Sequence, residues 1–433
     1  MSPEVVGILG LIVMVALLLL RVPVGIAMIA VGLVGFMIII NVDAALARLA
    51  SDTFRATTIE SLAVIPMFVL MGLVLAAARL GEDVYKAFDV FLWRLRGGLG
   101  VATIGASALF GAVSGSAVAS ATTMSVVAVP EMKRFDYHGG YAAATAAVGG
   151  TLGILIPPSA ILVLYGILTE EPIGQVLIGG IIPGVIATAI LMFTAWMVVR
   201  LRPSYAPRQP EQPSLSRWAA IRLVWAVPVI FGISMGGIYY GFFTPTEAGA
   251  AGAFLSIMYG VLTRRLTMSG FGGAVNRTIR TTAFIFMLVI AGQIFGFFLT
   301  ASRIPRELGE YISGLEVAPW LIVTVIFVVY FILGALMDEI AILVIMTPIM
   351  YPVIIGLGYS GVWFGVLTIM MLLTGLLMPP VGLITFVVAG VTKVPLGEVF
   401  RGIFPFVGAL AVAIMLVIFF PSLVTWLPDL MTG

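Results

Sequence analysis

Two short runs place reactive groups where an apolar chain has few of them. Ser114-Gly115-Ser116 sets two hydroxyls around a glycine, followed by Ser120, Thr122 and Thr123, and Asp338-Glu339 puts two carboxylates deep inside an apolar stretch. Glycine lets the backbone turn and approach a ligand, and the hydroxyls can cap a helix or coordinate. A carboxylate near a bilayer centre costs roughly 2.5–3.5 kcal/mol on insertion scales, so it marks a functional site by default. We expect Asp338 in the inner role, capping a returning helix and coordinating a cation, with Glu339 turned elsewhere. Pro157-Pro158 and Pro379-Pro380 each remove two N–H donors and end the helix before them. Thr151 and Thr374 lie just ahead, with Gly149, Gly150, Gly153 and Gly375 to loosen the backbone. Carbonyls freed at 151–154 and 374–377 could bind a small hard cation, sodium being the obvious one.

These runs recur in register. Gly111 to Pro157 is 46 positions and Gly334 to Pro379 is 45, and from there Pro183 and Pro405 each lie 26 further on. Pro172-Ile173-Gly174-Gln175-Val176 is echoed by Pro395-Leu396-Gly397-Glu398-Val399. Helix breakers at one depth in two halves point to the binding site of a secondary transporter. A break inside a membrane exposes N–H groups at one new end, favouring anions, and carbonyls at the other, favouring cations. Such breaks survive only where protein, water or ligand satisfies them. Four brought together would make an anion site beside small cation sites.

Composition demands a membrane for them to break in. Hydrophobic residues make up 61% of the 433 residues and charged residues 10%, against about 25% charged in soluble domains. Mean hydropathy is +1.19. The net charge of +2 argues against a nucleic-acid partner. No cysteine is present, which excludes disulfides and thiol chemistry. His138, the one histidine, falls in a polar loop and reads as solvated. The start does not read as a signal peptide: Glu4 precedes the first apolar run, no basic segment leads it, and Arg21 follows.

The expected fold is all-α and polytopic. Ten spans are read at about 5–20, 22–40, 60–78, 140–168, 174–199, 218–240, 245–263, 283–301, 361–391 and 402–427. Stretches 97–130 and 319–355 hold small or charged residues at their centres and read as re-entrant hairpins. With both termini outside, this arrangement leaves 18 of the 22 basic residues on the inside; only Arg48, Arg55, Arg303 and Arg306 fall outside. Making either hairpin a plain span would scatter the charges, against the positive-inside rule. Five spans on each side of a polar, inside linker at 201–217 make two inverted repeats, 1–200 and 218–433. The first holds the hairpin 97–130 and a broken helix 140–168; the second holds the hairpin 319–355 and a broken helix 361–391. An amphipathic helix is expected at 82–96, with Val84, Phe88, Phe91, Leu92 and Leu95 on one face, and residues 264–280 as its counterpart. Pro23–Ala27 and Pro245–Gly249 read as matching helix starts.

Gly111–Ser116, Gly153–Pro158, Gly334–Asp338, Thr374–Pro380 and Pro245–Gly249 resemble the signature breaks of the large membrane subunit of TRAP transporters, the tripartite ATP-independent periplasmic family. The resemblance covers essentially the whole chain. It implies an elevator, in which two hairpins and two broken helices slide against a scaffold in a bacterial inner membrane. It implies sodium-driven import of organic acids, usually carboxylates, handed over by a periplasmic substrate-binding protein. A small four-helix membrane subunit completes the scaffold; because Met1 leads directly into the first span, it is expected as a separate chain. Carried onto these residues, Gly111, Ser114, Thr151 and Gly153 would line one sodium site, and Gly334, Asp338, Thr374 and Gly375 the other. Substrate would lie between the hairpin tips, near Ser114, Gly115, Ser116, Pro157, Pro158, Pro379 and Pro380.

Three rivals remain. A stand-alone sodium–carboxylate symporter would share the architecture without needing a binding protein. A channel rarely needs two inverted hairpins. An intramembrane hydrolase would need a base near Ser114, and His138 lies in a loop, or two carboxylates sharing a proton, whereas Glu339 is adjacent to Asp338 and points elsewhere on a helix.

Overall fold

The computed structural model describes residues 1–207, 215–313 and 317–431; of the expected linker 201–217, residues 208–214, Arg208 among them, lie outside the described residues. No strand occurs among the described residues. The first half comprises α1 (Pro3–Leu19), α2 (Val24–Ile39), α3 (Val42–Thr58), α4 (Val64–Ala77), α5 (Leu80–Leu92) and α6 (Gly98–Ser114). It continues through α7 (Ala117–Arg134), α8 (Gly139–Thr151), α9 (Ala160–Thr169), α10 (Ile173–Gly179) and α11 (Ile181–Leu201). The second comprises α12 (Arg217–Leu223), α13 (Ala226–Tyr239), α14 (Pro245–Leu262), α15 (Met268–Ala301), α16 (Ile304–Ser313) and α17 (Pro319–Gly334). It ends with α18 (Glu339–Gly356), α19 (Gly361–Gly375), α20 (Leu383–Thr392), α21 (Leu396–Phe419) and α22 (Ser422–Asp429).

All ten expected spans are helical. Judged by length and apolarity alone, five helical segments among the described residues can cross a membrane unaided, and breakers shorten several of the others. Two of the shortened spans are the broken pairs α8–α9 and α19–α20. A third is α12–α13, bent by 44°. One of the five long segments, α18, is instead the second arm of a hairpin.

Polar contacts sort the helix ends into two groups. At one end, Arg96 donates to the carbonyls of Ala206 and Pro203, and Lys133 donates to the Thr392 carbonyl. His138 stacks on Tyr205 there, with ring centroids 4.5 Å apart. Arg265 pairs with Asp83, a carboxylate only 4% exposed, and Tyr259 donates to it at 3.4 Å; the bond to Asp83 raises the Arg265 pKa above its ordinary value. At the other end Tyr351 donates to Glu171 at 2.6 Å, and Gly7 packs on Ser302 and Ile304. Hairpin α6–α7 starts and finishes at the first end, the basic one. Hairpin α17–α18 starts and finishes at the second.

The sequence reading of the connecting helices needs correction in three places. Residues 268–280 are not a separate interface helix: they are the first turns of α15, which runs unbroken for 34 residues. At about 1.5 Å per residue it is about 51 Å long, well beyond a hydrocarbon core. Thr267 caps its start and no proline interrupts it. The counterpart of α5 is α16, which likewise joins a long scaffold helix to a hairpin. Finally, α5 stops at Leu92, and Phe91 and Leu95 are exposed while Asp83 is buried. The pairing with Arg265 turns Asp83, rather than Phe91, inward. Helix α3, capped by the Asn41 carboxamide at 2.7 Å, was not anticipated.

Candidate functional site

Each hairpin rests on its broken helix through a pair of glycines. A Cβ on Gly111 would come 2.7 Å from the Gly153 Cα, and one on Gly375 would come 2.7 Å from the Gly334 Cα. No side chain fits at such distances, so backbone lies on backbone in both halves. The hairpin turns differ slightly. Gly115 takes φ +62°, a conformation that costs an L side chain about 1–2 kcal/mol, and a Cβ there would meet the Pro158 carbonyl at 2.7 Å. Ser116 then caps α7, accepting from Ala119 N at 3.3 Å. Asp338 caps α18 in the same manner, accepting from Ile340 N at 3.0 Å. Ser116 and Asp338 are therefore equivalent, and the second hairpin is one residue shorter between its glycine and its cap.

The broken helices are tied across their gaps by hydroxyls. Ser159 Oγ donates to the Ile154 carbonyl at 2.6 Å, and Thr385 Oγ1 donates to the Leu377 carbonyl at 2.9 Å. Thr151 and Thr374 donate to carbonyls within their own helices, of Val148 at 2.8 Å and Met370 at 2.8 Å, which leaves oxygen lone pairs for a ligand. Around the second break the Ala335 carbonyl accepts from Val381 N at 3.1 Å, tying hairpin to break. Both double prolines have cis bonds; Pro157 and Pro158 are buried, whereas Pro379 and Pro380 are exposed.

The two tips meet at a cavity of about 120 Å³. Ser114, Gly115 and Ser116 line it from one hairpin and Glu339 and Ile340 from the other, with Phe68 and Gly72 of α4 and Thr281 and Ile285 of α15 closing it. None of Pro157, Pro158, Pro379 and Pro380 borders this cavity. The inner acid is also reversed relative to the sequence expectation. Glu339 is 7% exposed and faces the cavity, while Asp338, only partly buried, is turned to its capping bond. Glu339 Oε2 and Ser114 Oγ are both buried without a hydrogen-bond partner. Sequence reasoning missed Glu339 for this role, and also Ser159, Thr385 and the closing residues of α4 and α15. The helical position of Glu339, first after the cap, was the available signal.

Oxygen atoms dominate what an ion could meet at the tips and breaks: hydroxyls, carbonyls of the unwound segments and the Asp338 and Glu339 carboxyl groups. No cluster of three acidic or imidazole side chains occurs among the described residues. That donor set suits a weakly held monovalent cation better than a tightly held divalent one, which takes several carboxylates. Toward the acidic end a larger cavity of about 1160 Å³ opens between α15, α18 and the α9–α10 turn, bordered by Glu171, Gln293, Thr347 and Tyr351.

The fold and the sequence are shared with known proteins. The solved transporter YdaH of Alcanivorax borkumensis superposes with a TM-score of 0.64 over 88% of each chain at 12% identity, a likeness of fold alone. The C4-dicarboxylate TRAP transporter large permease protein DctM of Pseudomonas aeruginosa is 31% identical over 88% of this chain and 89% of its own. The sialic acid TRAP transporter large permease protein SiaM of Vibrio cholerae is 30% identical over 96% and 97%, and so is the ectoine TRAP transporter large permease protein TeaC of Halomonas elongata. These relatives are permeases, not enzymes, and the hydrolase reading is set aside. The family described as "Tripartite ATP-independent periplasmic transporter, DctM component" matches residues 11–423. The chain belongs to that family, as a large permease subunit of a TRAP transporter.

Proposed function

We propose that this protein is the translocating subunit of a sodium-coupled importer of a small organic acid in a bacterial inner membrane, with both termini on the periplasmic side. The observation that carries the reading is the meeting of two hairpin tips, entering from opposite ends, at one buried polar cavity. Sodium is cargo in this scheme. Gly111, Ser114, Thr151 and Gly153 hold one ion, and Gly334, Asp338, Thr374 and Gly375 the other. Substrate sits between the tips, its anionic group toward the α7 N-terminus, where Gly115, Ser116 and the helix dipole offer N–H groups and partial positive charge. The hairpins and broken helices move as a body against α4 and α15. The amphipathic connectors α5 and α16 join the two parts in this scheme, and a separate small subunit completes the scaffold. A periplasmic binding protein delivers a substrate in the chemical range that the relatives' names span, from C4-dicarboxylates to sialic acid and ectoine.

Reconstitution tests it. Purified with its small subunit in liposomes, the chain should take up the binding protein's ligand only with an inward sodium gradient and with the binding protein present. Uptake by this chain alone would favour the stand-alone symporter; uptake indifferent to sodium would remove the coupling.

A further inference from the structure

The cavity between the tips presents an acid where a simple dicarboxylate would need a base. Among the described residues, Glu339 is the only ionisable side chain that lines it, and neither Lys, Arg nor His borders it. The partnerless Oε2 of Glu339, 7% exposed, and the partnerless Oγ of Ser114, 6% exposed, approach it from opposite hairpins. A buried acceptor left unpaired costs free energy that a complementary ligand atom removes. Among the residues given to the coupling ions, Ser114 borders the cavity and Asp338 does not; the Ser114 oxygen can face an ion while its proton is donated to the substrate. The second carboxylate of a dianion would face the Glu339 carboxyl with no cation in the described lining to compensate it. The opposite wall is suited to one negative group and no more, since it presents the α7 N-terminus with Ser114 and Ser116.

We infer that Glu339 selects the substrate: the organic acid carried by this protein also bears a cationic, hydrogen-bonding or quaternary nitrogen, as in an amino acid or a betaine. The carboxylate of such a zwitterion points to Ser114–Ser116 and its nitrogen points to Glu339. The inference rests on the transport reading above and narrows its substrate class. Ser114 contributes a hydroxyl that donates to the carboxylate, and Glu339 contributes the acceptor oxygen that decides between classes. Phe68 and Ile285, from the two scaffold helices, cover the apolar body between the two poles.

The test uses the purified complex of this chain with its small membrane subunit, in sodium chloride. Thermal unfolding is followed with the zwitterions glycine betaine, taurine and β-alanine, and with the dianions succinate and malate. The wild type is expected to be stabilised by at least one zwitterion and not by the dianions. Glu339→Gln is expected to weaken the zwitterion's apparent affinity by roughly 30-fold or more and to narrow the gap between classes, while Glu339→Asp retains part of the preference. A wild type that responds to dianions as well as to zwitterions, or to neither class, overturns the inference. So does a Glu339→Gln variant with the wild-type ranking. Sodium-driven uptake in liposomes, measured in parallel, keeps the two readings apart: uptake of a dianion would sustain transport while removing the role of Glu339.

Discussion

Adjacent acids at a helix start do different work because their side chains leave the backbone in different directions. At the cap, Asp338 folds back onto Ile340 N at 3.0 Å, a bond whose loss typically costs about 1 kcal/mol. One residue on, Glu339 is already helical and projects from the axis, into the space between the hairpins. The sequence made both carboxylates visible as costly, but the choice between them depended on which side of α18 meets the opposite tip. Asparagine caps as well as aspartate, so Asp338→Asn should insert and fold normally while removing the charge beside the second helix break. A sodium titration of uptake should then show half-saturation at a clearly higher sodium concentration than in the wild type. An unchanged titration would take Asp338 out of the coupling.

At the scale of elements, the breaks and the first connector, α5, were readable and the second connector was not. Proline pairs and glycines reveal a broken helix because they act on their own backbone, and Gly111, Gly153, Gly334 and Gly375 all sit at the junctions their spacing suggested. Whether a polar stretch lies along the interface or prolongs a span depends on tertiary support, which hid the continuity of α15 and the role of α16. Two stability predictions follow from close contacts. Gly153→Ala and Gly375→Ala push a methyl into neighbouring backbone, which should cost about 1–3 kcal/mol each and lower the unfolding midpoint. Gly272→Ala on α15, where nothing lies within 4 Å of the added carbon, should leave it unchanged or raise it, by up to about 1 kcal/mol of helix propensity. The Asp83–Arg265 pair pins α5 to the turn after α14. Arg265→Met leaves the Asp83 carboxylate with the Tyr259 hydroxyl alone and should destabilise by roughly 1–3 kcal/mol. The double variant Asp83→Leu, Arg265→Met should recover most of that in a double-mutant cycle, and an additive result would deny the pair its pinning role.

Taken whole, the molecule is asymmetric along its axis. The hairpin tips lie against Phe68, Gly72, Thr281 and Ile285, near the middles of α4 and α15, and the large cavity opens toward the acidic end. A body free to slide along α4 and α15 would close that cavity and expose the tips from the other side. The contact between Gly292 of α15 and Val344 of α18 belongs to the position seen here, and a Cβ at Gly292 lies 3.7 Å from the Val344 Cβ. That spacing suits a disulfide, and the natural chain has no cysteine to interfere. Gly292→Cys with Val344→Cys should therefore crosslink under mild oxidation without rearrangement. If transport requires sliding, the oxidised complex should lose uptake and regain it on reduction, while the Val344→Cys single variant stays active after the same treatment. An oxidised double variant that transports at the reduced rate would mean that α15 and α18 stay together throughout the cycle, and that the moving boundary lies elsewhere.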